Sequence, residues 1–362
     1  MSGRSLPLIS LADYEAAAGA LLDEVAHGYF SGGAADEITM RDNVTAWARF
    51  ALRPRMLVGV GDRDAGVTVL GRRRPHPVII APMAYQKLAH PDGELAMAAA
   101  AAATGATICL STLATTGVPE LALSAPDASR WFQLYVFRDR GVSRELVAEA
   151  VEHAYEALVV TVDVPVRGFR ERDLRSGSEL SPVRALPASA RGDVTMTPAD
   201  FSALIDPALN WKDIEELAAD SQLPVLVKGI LTPEDARMAV EHGARGVIVS
   251  NHGGRQLDTV VSGADALAAV VDAVGDLLDV LVDGGIRRGT DVIKALALGA
   301  RAVLIGRPLI WGLAVGGAEG AQRVLEIVLE ELDRGLALAG APRADELDRS
   351  FVCPAGWATE PT

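Results

Sequence analysis

Short apolar runs rich in β-branched residues recur along the chain from about residue 77, each followed by a longer stretch dominated by Ala, Leu, Glu and Arg. The runs are PVIIAPMA (77–84), TICLST (107–112), RWFQLYV (130–136), ALVVTVDV (157–164), LPVLVKGI (223–230), GVIVSN (246–251), DVLVDGG (279–285) and AVLIGRP (302–308). Several are apolar at consecutive positions instead of alternating, as parallel strands covered on both faces require. The intervening stretches, among them GELAMAAAAAATG, SRELVAEAVEHA, TPEDARMAVEHG and GTDVIKALALG, carry helix-capping Thr, Ser or Gly at one or both ends. Eight such units predict an α/β chain folded as a (β/α)8 barrel of the TIM type. A doubly wound open sheet fits less well, because no G-x-G-x-x-G fingerprint follows the first strand.

The flanks are read against that barrel, placed at residues 77–340. Residues 1–76 hold a helical LADYEAAAGALLDEVAHGYF and a hairpin near VTVLGRRRPHPV with no linker after them, which predicts an N-terminal helical cap packed on the barrel. The connection after the fourth strand, residues 171–211, runs about 40 residues where barrel loops take about 2 to 6. Its charges and its three prolines before residue 200 predict a long lid loop. Residues 341–362 form a tail, and the whole of 1–362 is read as a single domain.

Composition narrows the function. A net charge of −14 sets the whole protein's field against a phosphate backbone, so nucleic acid is excluded as a partner. Two cysteines, Cys109 and Cys353, form neither a disulfide framework nor a metal-ligand spacing. The longest apolar stretch, LAMAAAAAA, is nine residues against the roughly 20 of a membrane-spanning helix. These features predict a soluble cytoplasmic protein with neither metal site nor membrane contact.

Polar residues gather where the strands end, the face on which such barrels place their chemistry. Ser111, Gln133, Tyr135, Thr161, Asp163, Lys228, Ser250, His252, Asp283, Gly306 and Arg307 all fall there. DGGIRRG after strand seven and GRP at strand eight suit a phosphate, with glycine-rich backbone, a helix N-terminus and Arg287 or Arg307 converging on it. A plain turn with solvated arginines is the other possibility. Lys228 follows an apolar run and needs an anionic or electron-rich partner, whether a ligand, a Schiff-base carbonyl, or Asp163 or Asp283 in a salt bridge. In SNHGGRQLD, His252 can move a proton near neutral pH and Arg255 offers a planar fork for a carboxylate. Together they suit chemistry at the carbon next to an acid.

These stretches resemble the FMN-dependent α-hydroxy acid oxidases and dehydrogenases of the glycolate, lactate and mandelate oxidase type. The similarity covers nearly the full length, through GYFSGGAADEITMRDN, APMAYQKLAHPDGE, LST, WFQLYV, TVDVP, VKGI, SNHGGRQLD, DGGIRRGTDVIKALALGA and IGRP. The resemblance implies an FMN site built from Pro82, Met83, Ala84, Ser111, Gln133, Thr161, Lys228, Ser250, Asp283, Gly284, Gly285, Arg287, Gly306 and Arg307. It implies Tyr29 and Arg255 as ligands of the substrate carboxylate, with Arg170 as a second cation nearby. Tyr135 is then the phenol on the substrate hydroxyl, His252 the base, Asp163 its orienting carboxylate and Lys228 the charge beside the reduced flavin.

The implied reaction oxidises a 2-hydroxy acid to a 2-oxo acid, with O2 as acceptor and hydrogen peroxide as product. Ala84, where some dehydrogenase members carry glycine, agrees with an oxidase. Leu113 stands where glycolate-oxidase-like members place tryptophan, which implies a larger or aromatic, mandelate-type substrate. Lactate or glycolate oxidation, a dehydrogenase with another acceptor, a non-redox FMN isomerase and a scaffold that has lost catalysis are the alternatives. Relatives of this kind also imply a homo-oligomer, a tetramer or octamer.

Overall fold

In the computed structural model, which describes residues 7–175, Val183, Leu186 and residues 202–356, every apolar run contributes one strand to a closed parallel barrel. In chain order the strands are β1 (Val78–Ile80), β2 (Thr107–Ser111), β3 (Arg130–Leu134), β4 (Leu158–Thr161), β5 (Val225–Ile230), β6 (Gly246–Val249), β7 (Asp279–Asp283) and β8 (Ala302–Ile305). Each pairs with its successor, and β8 closes on β1 with Val303 opposite Val78 and Ile305 opposite Ile80. One buried apolar cluster runs from Leu11 through the barrel to Val352.

The strands are shorter than the runs that announced them. Tyr135, Asp163, Asn251, Gly284 and Arg307 lie just past a strand end. A strand sends every second side chain outward to the helices, so leaving the ladder is what frees these residues to face the mouth. Strand β5 is irregular, its register to β6 slipping between Lys228 and Ile230. Gly229 sits at that slip with φ 112°, and a Cβ on it would lie 2.7 Å from the Cβ of Asp163. Glycine therefore lets Asp163 close over β5 beside Lys228.

Three helices of the N-terminal segment pack on the barrel: α1 (Leu11–Leu21), α2 (Glu24–Ser31) and α3 (Ile38–Ala46). A capping box starts α1, with Ser10 Oγ accepting from the Asp13 amide and the Asp13 carboxylate accepting from the Ser10 amide. Helix α1 lies along the long helix Arg307–Ala339, which breaks at Gly316 and Gly317. Helix α3 presses on the turn at residues 252–254. Asn43 of α3 and Asn251 exchange amide hydrogen bonds of 2.8 Å, and a Cβ on Gly285 would sit 1.7 Å from the Asn43 carbonyl oxygen.

The expected hairpin forms from Val67–Val69 and Arg72–Arg74. Near the C-terminus Val352–Pro354 pairs antiparallel with Phe50–Leu52, so the tail is sewn back to the N-terminal segment. Of the expected lid at 171–211, the short helix Glu171–Arg175 and residues 202–211 are described, together with Val183 and Leu186, and the rest lies outside the described residues. Among the described residues no helix is long and apolar enough to cross a membrane.

Candidate active site

The loops beyond the strand ends enclose one cavity of about 1330 Å³ including its open mouth. Tyr29 from α2, Pro82–Ala84 after β1, Ser111 and Leu113 at the end of β2, Gln133 and Tyr135 at the end of β3, Thr161 of β4 and Arg170 in the loop that follows β4 line it. Lys228, His252, Arg255, Asp283–Gly285, Arg287, Gly306 and Arg307 complete the ring. Asp163 and Ser250 stand one layer behind, each hydrogen-bonded to a lining residue. The polar residues that the strand ends carry in sequence thus meet in one place.

His252 is set by its backbone as much as by its partners. It lies at φ 58°, followed by Gly253 at 64° and Gly254 at 73°, three successive left-handed residues. The tight turn is held by Asn251, whose side-chain oxygen accepts from the Gly254 amide at 3.1 Å, and by Ser250 Oγ accepting from the His252 amide at 3.0 Å. The turn aims the imidazole so that Nδ1 meets Asp163 Oδ1 at 2.8 Å. Gln256 Nε2 holds Asp163 in turn by donating to its carbonyl at 2.9 Å. Burial pushes His252 below its ordinary value of 6.5 against the pull of Asp163, so the imidazole is neutral at pH 7. Burial also disfavours ionised Asp163, but the His252 and Lys228 sides of the site outweigh it and keep its carboxyl below the usual range. A neutral imidazole held by a carboxylate, with Nε2 toward the cavity, is the arrangement of a general base.

The cations divide into two groups. Arg255 Nη1 donates to the carbonyls of Tyr29 and Gly32 at 2.5 and 3.0 Å, leaving Nε and Nη2 for a ligand, and its guanidinium lies 4.7 Å from the Tyr29 ring centre. Arg170 donates from Nε to the Arg255 carbonyl at 2.9 Å. Burial and the Arg255 charge lower Arg170 to about 10, which leaves it protonated. Arg287 and Arg307 line the cavity with the glycine turn of residues 284–285, and Arg307 meets the first group where it shares the Gly32 carbonyl with Arg255.

Here the structure departs from the sequence reading. The helix after β7, Gly289–Ala297, does not offer its N-terminus, because Asp291 Oδ2 accepts from the amides of Arg287 and Arg288 at 3.0 Å and Glu331 from that of Gly289 at 2.9 Å. The helix that opens at the cavity is Arg307–Ala339, with Gly306 as its N-cap. Arg307 is also a strut: it donates to the carbonyls of Phe30, Gly253 and Gly32 at 2.9 to 3.0 Å, so that two N–H groups remain.

Lys228 donates to Ser250 Oγ at 2.8 Å and pairs with Asp283 Oδ2 at 3.1 Å. The salt bridge anticipated for this lysine is therefore present, and Asp283 is the partner. Burial weakens the ammonium, but Asp283 and Asp163 outweigh it and hold Lys228 above its ordinary value. Beside it, Gln133 Nε2 and Asp283 Oδ1 are buried without a hydrogen-bond partner, although Gln133 Oε1 is fixed by the Ser111 hydroxyl at 3.2 Å and the Thr112 amide at 3.3 Å. Orphaned buried polar atoms of this kind are costly unless a ligand meets them.

Several lining residues were not singled out in the sequence. Phe30, Tyr85, Val164, Arg167, Ile205 and Ile286 face the same cavity. Tyr85 follows Ala84 directly and Arg167 lies between Asp163 and Arg170, so proximity to chosen residues was the available signal. Periodicity carried none, because both occupy loops.

The chain matches the FMN-dependent dehydrogenase family over residues 18–354. It is 46% identical to the L-lactate oxidase of Nostoc sp. (strain PCC 7120 / SAG 25.82 / UTEX 2576) over 95% of this chain and 98% of that protein. To the glycolate oxidase of Spinacia oleracea it is 43% identical, with 97% of each covered. A crystal structure of mandelate oxidase superposes with a TM-score of 0.89 at 43% identity, covering 96% of this chain and 99% of that one.

Proposed function

The chain belongs to the FMN-dependent dehydrogenase family, and from that premise we propose that it oxidises a larger or aromatic 2-hydroxy acid, of the mandelate kind, to the 2-oxo acid. FMN is its cofactor, and it is an oxidoreductase of the (S)-2-hydroxy-acid oxidase type. The cavity fits that cofactor. A flavin ring has a polar edge of alternating acceptors and donors, which answers the orphaned Gln133 amide and the third N–H of Lys228, with Ser111 and Thr161 at hand. Its phosphate suits Arg287, the two remaining N–H groups of Arg307 and the glycines at 284, 285 and 306. FMN so held supplies an acceptor for two electrons.

The chain supplies the rest. Arg255 and Tyr29 hold the substrate carboxylate, with Arg170 adding its charge. Tyr135, whose phenol burial keeps protonated, takes the substrate hydroxyl. His252 receives the proton at Nε2, and Asp163 stabilises the imidazolium that results. Lys228 sets a positive charge beside the cofactor, where reduction adds electrons. The single observation that supports this assignment is the Asp163–His252 pair facing the same cavity as the open side of Arg255.

The substrate preference rests on Leu113, Val164 and Ile205, which line the cavity with side chains smaller than an indole. The identity to an L-lactate oxidase favours a second reading, a small aliphatic substrate. O2 is the proposed acceptor, giving hydrogen peroxide; the oxidase relatives and Ala84 beside the cavity support it. The proposal includes a homo-oligomer in the cytoplasm, and two free thiols suit that reducing compartment. A panel of lactate, glycolate and (S)-mandelate assayed for peroxide release tests substrate and acceptor together. Mandelate giving the highest kcat/KM is expected; lactate or glycolate giving it would overturn the preference, and turnover only with an artificial acceptor would overturn O2.

A further inference from the structure

Once the proposed roles are assigned, part of the cavity wall is left for the substrate's side chain, and it is not uniformly apolar. Leu113, Val164 and Ile205 share it with Tyr85 and Arg167. Tyr85 is 2% exposed and held in a left-handed conformation at φ 56°, a strained choice for a bulky residue. Its ring stands edge-on to Tyr29 at 5.5 Å, and its electrostatic neighbours are Tyr29, Arg167, Tyr135 and Arg170. Its hydroxyl donates to no described residue. Arg167 gives Nη2 to Asp173 at 2.9 Å, while its Nε and Nη1 have no hydrogen bond among the described residues. A phenol and a half-committed guanidinium therefore look into a cavity whose other polar groups already have work.

Charge decides what they meet. With Arg287 and Arg307 given to the cofactor phosphate, Arg167 and Arg170 share Asp173 and Lys228 pairs with Asp283 beside Asp163, while Arg255 has no carboxylate partner among the described residues and His252 is neutral. One net positive charge remains, and the substrate's own carboxylate cancels it. A second carboxylate would exceed the balance, whereas a neutral hydroxyl can accept from Arg167 and exchange a hydrogen bond with Tyr85.

Resting on the proposed function, we infer that Tyr85 and Arg167 form a specificity site for the far end of the substrate, selecting 2-hydroxy acids whose aromatic side chain carries a neutral hydroxyl. The test compares (S)-mandelate with its 4-hydroxy and 4-carboxy derivatives, with lactate as control. It reads kcat/KM for each, and calorimetric binding of the corresponding 2-oxo acids to the holoenzyme. The 4-hydroxy acid is expected to exceed mandelate by about tenfold, the worth of one charge-assisted hydrogen bond. Tyr85→Phe and Arg167→Met should each reduce that ratio about fivefold and weaken binding of the hydroxylated oxo acid alone by a similar factor. Because each ratio is taken within one protein, a misfolded fraction cancels. Equal kcat/KM for hydroxylated and plain mandelate, a preference that survives both substitutions, or a 4-carboxy acid as the best substrate overturns the inference. Oxidation of lactate without any aromatic acid overturns it too, while no oxidation of any of the four acids overturns the proposed function beneath it.

Discussion

His252 and Arg255 are three residues apart in sequence and carry different roles in the proposed reaction, and single substitutions separate them. Arg255→Lys keeps the charge and loses the planar fork, so KM should rise by about ten- to a hundredfold with a smaller change in kcat, read from initial rates. An unchanged KM would remove Arg255 from the carboxylate. The pH profile isolates His252. Burial sets its imidazole below 6.5, so the acid limb of kcat/KM should lie below 6.5. Asp163 pulls that value upward, so Asp163→Asn should move the limb further toward acid while lowering kcat at neutral pH. The same depression makes folded protein bind fewer protons than unfolded protein just below pH 6.5. The His252 contribution to stability is thus full above 6.5 and is lost as pH falls toward the folded value.

At the scale of elements, two backbone devices place His252 and Asp163: the left-handed turn at 252–254 and the slip in β5. Gly229→Ala tests the second directly. A methyl group there meets Asp163 at 2.7 Å in a backbone conformation that side chains avoid. We expect a loss of about 2 kcal/mol or more in thermal or denaturant unfolding, together with a drop in kcat as Asp163 is displaced. Stability lost with kcat intact would detach β5 from the positioning of Asp163. These devices also mark where sequence stopped being informative. SNHGG announces a turn through its glycines, yet nothing in it shows His252 itself adopting a positive φ. DGGIRRG reads as an open helix N-terminus until Asp291 and Glu331, one of them 42 residues away from Gly289, are seen to occupy its amides. Arg307 reads as a free cation for the same reason: its carbonyl partners are Phe30 of α2, Gly32 just past that helix and Gly253.

At the scale of the molecule, the barrel was legible because burial on both faces writes itself as consecutive apolar residues, and each of the runs became a strand. Strand ends gave most of the cavity wall as well, since the polar residue that follows an apolar run is the one left at the mouth. Tyr85 and Arg167 escaped because loop residues carry no period. Apolar side chains also stand exposed near the mouth, Val166, Phe169 and Leu257 among them, and Gln256 binds the Val166 carbonyl to bring their two loops together. Such a patch suits a contact between copies. Light scattering should return a mass several times the 38.0 kDa of one chain, and Phe169→Glu should lower it. A mass of 38.0 kDa for the unsubstituted protein would exclude the oligomer.

The most direct measurement of the whole account is the anaerobic bleaching of the bound flavin on mixing with a 2-hydroxy acid, followed in rapid-mixing experiments for the unsubstituted enzyme and for His252→Ala loaded with equal FMN. The account predicts fast loss of the yellow colour in the first and a rate lower by about a hundredfold or more in the second, with substrate still bound. Bleaching at the same rate in both would contradict it.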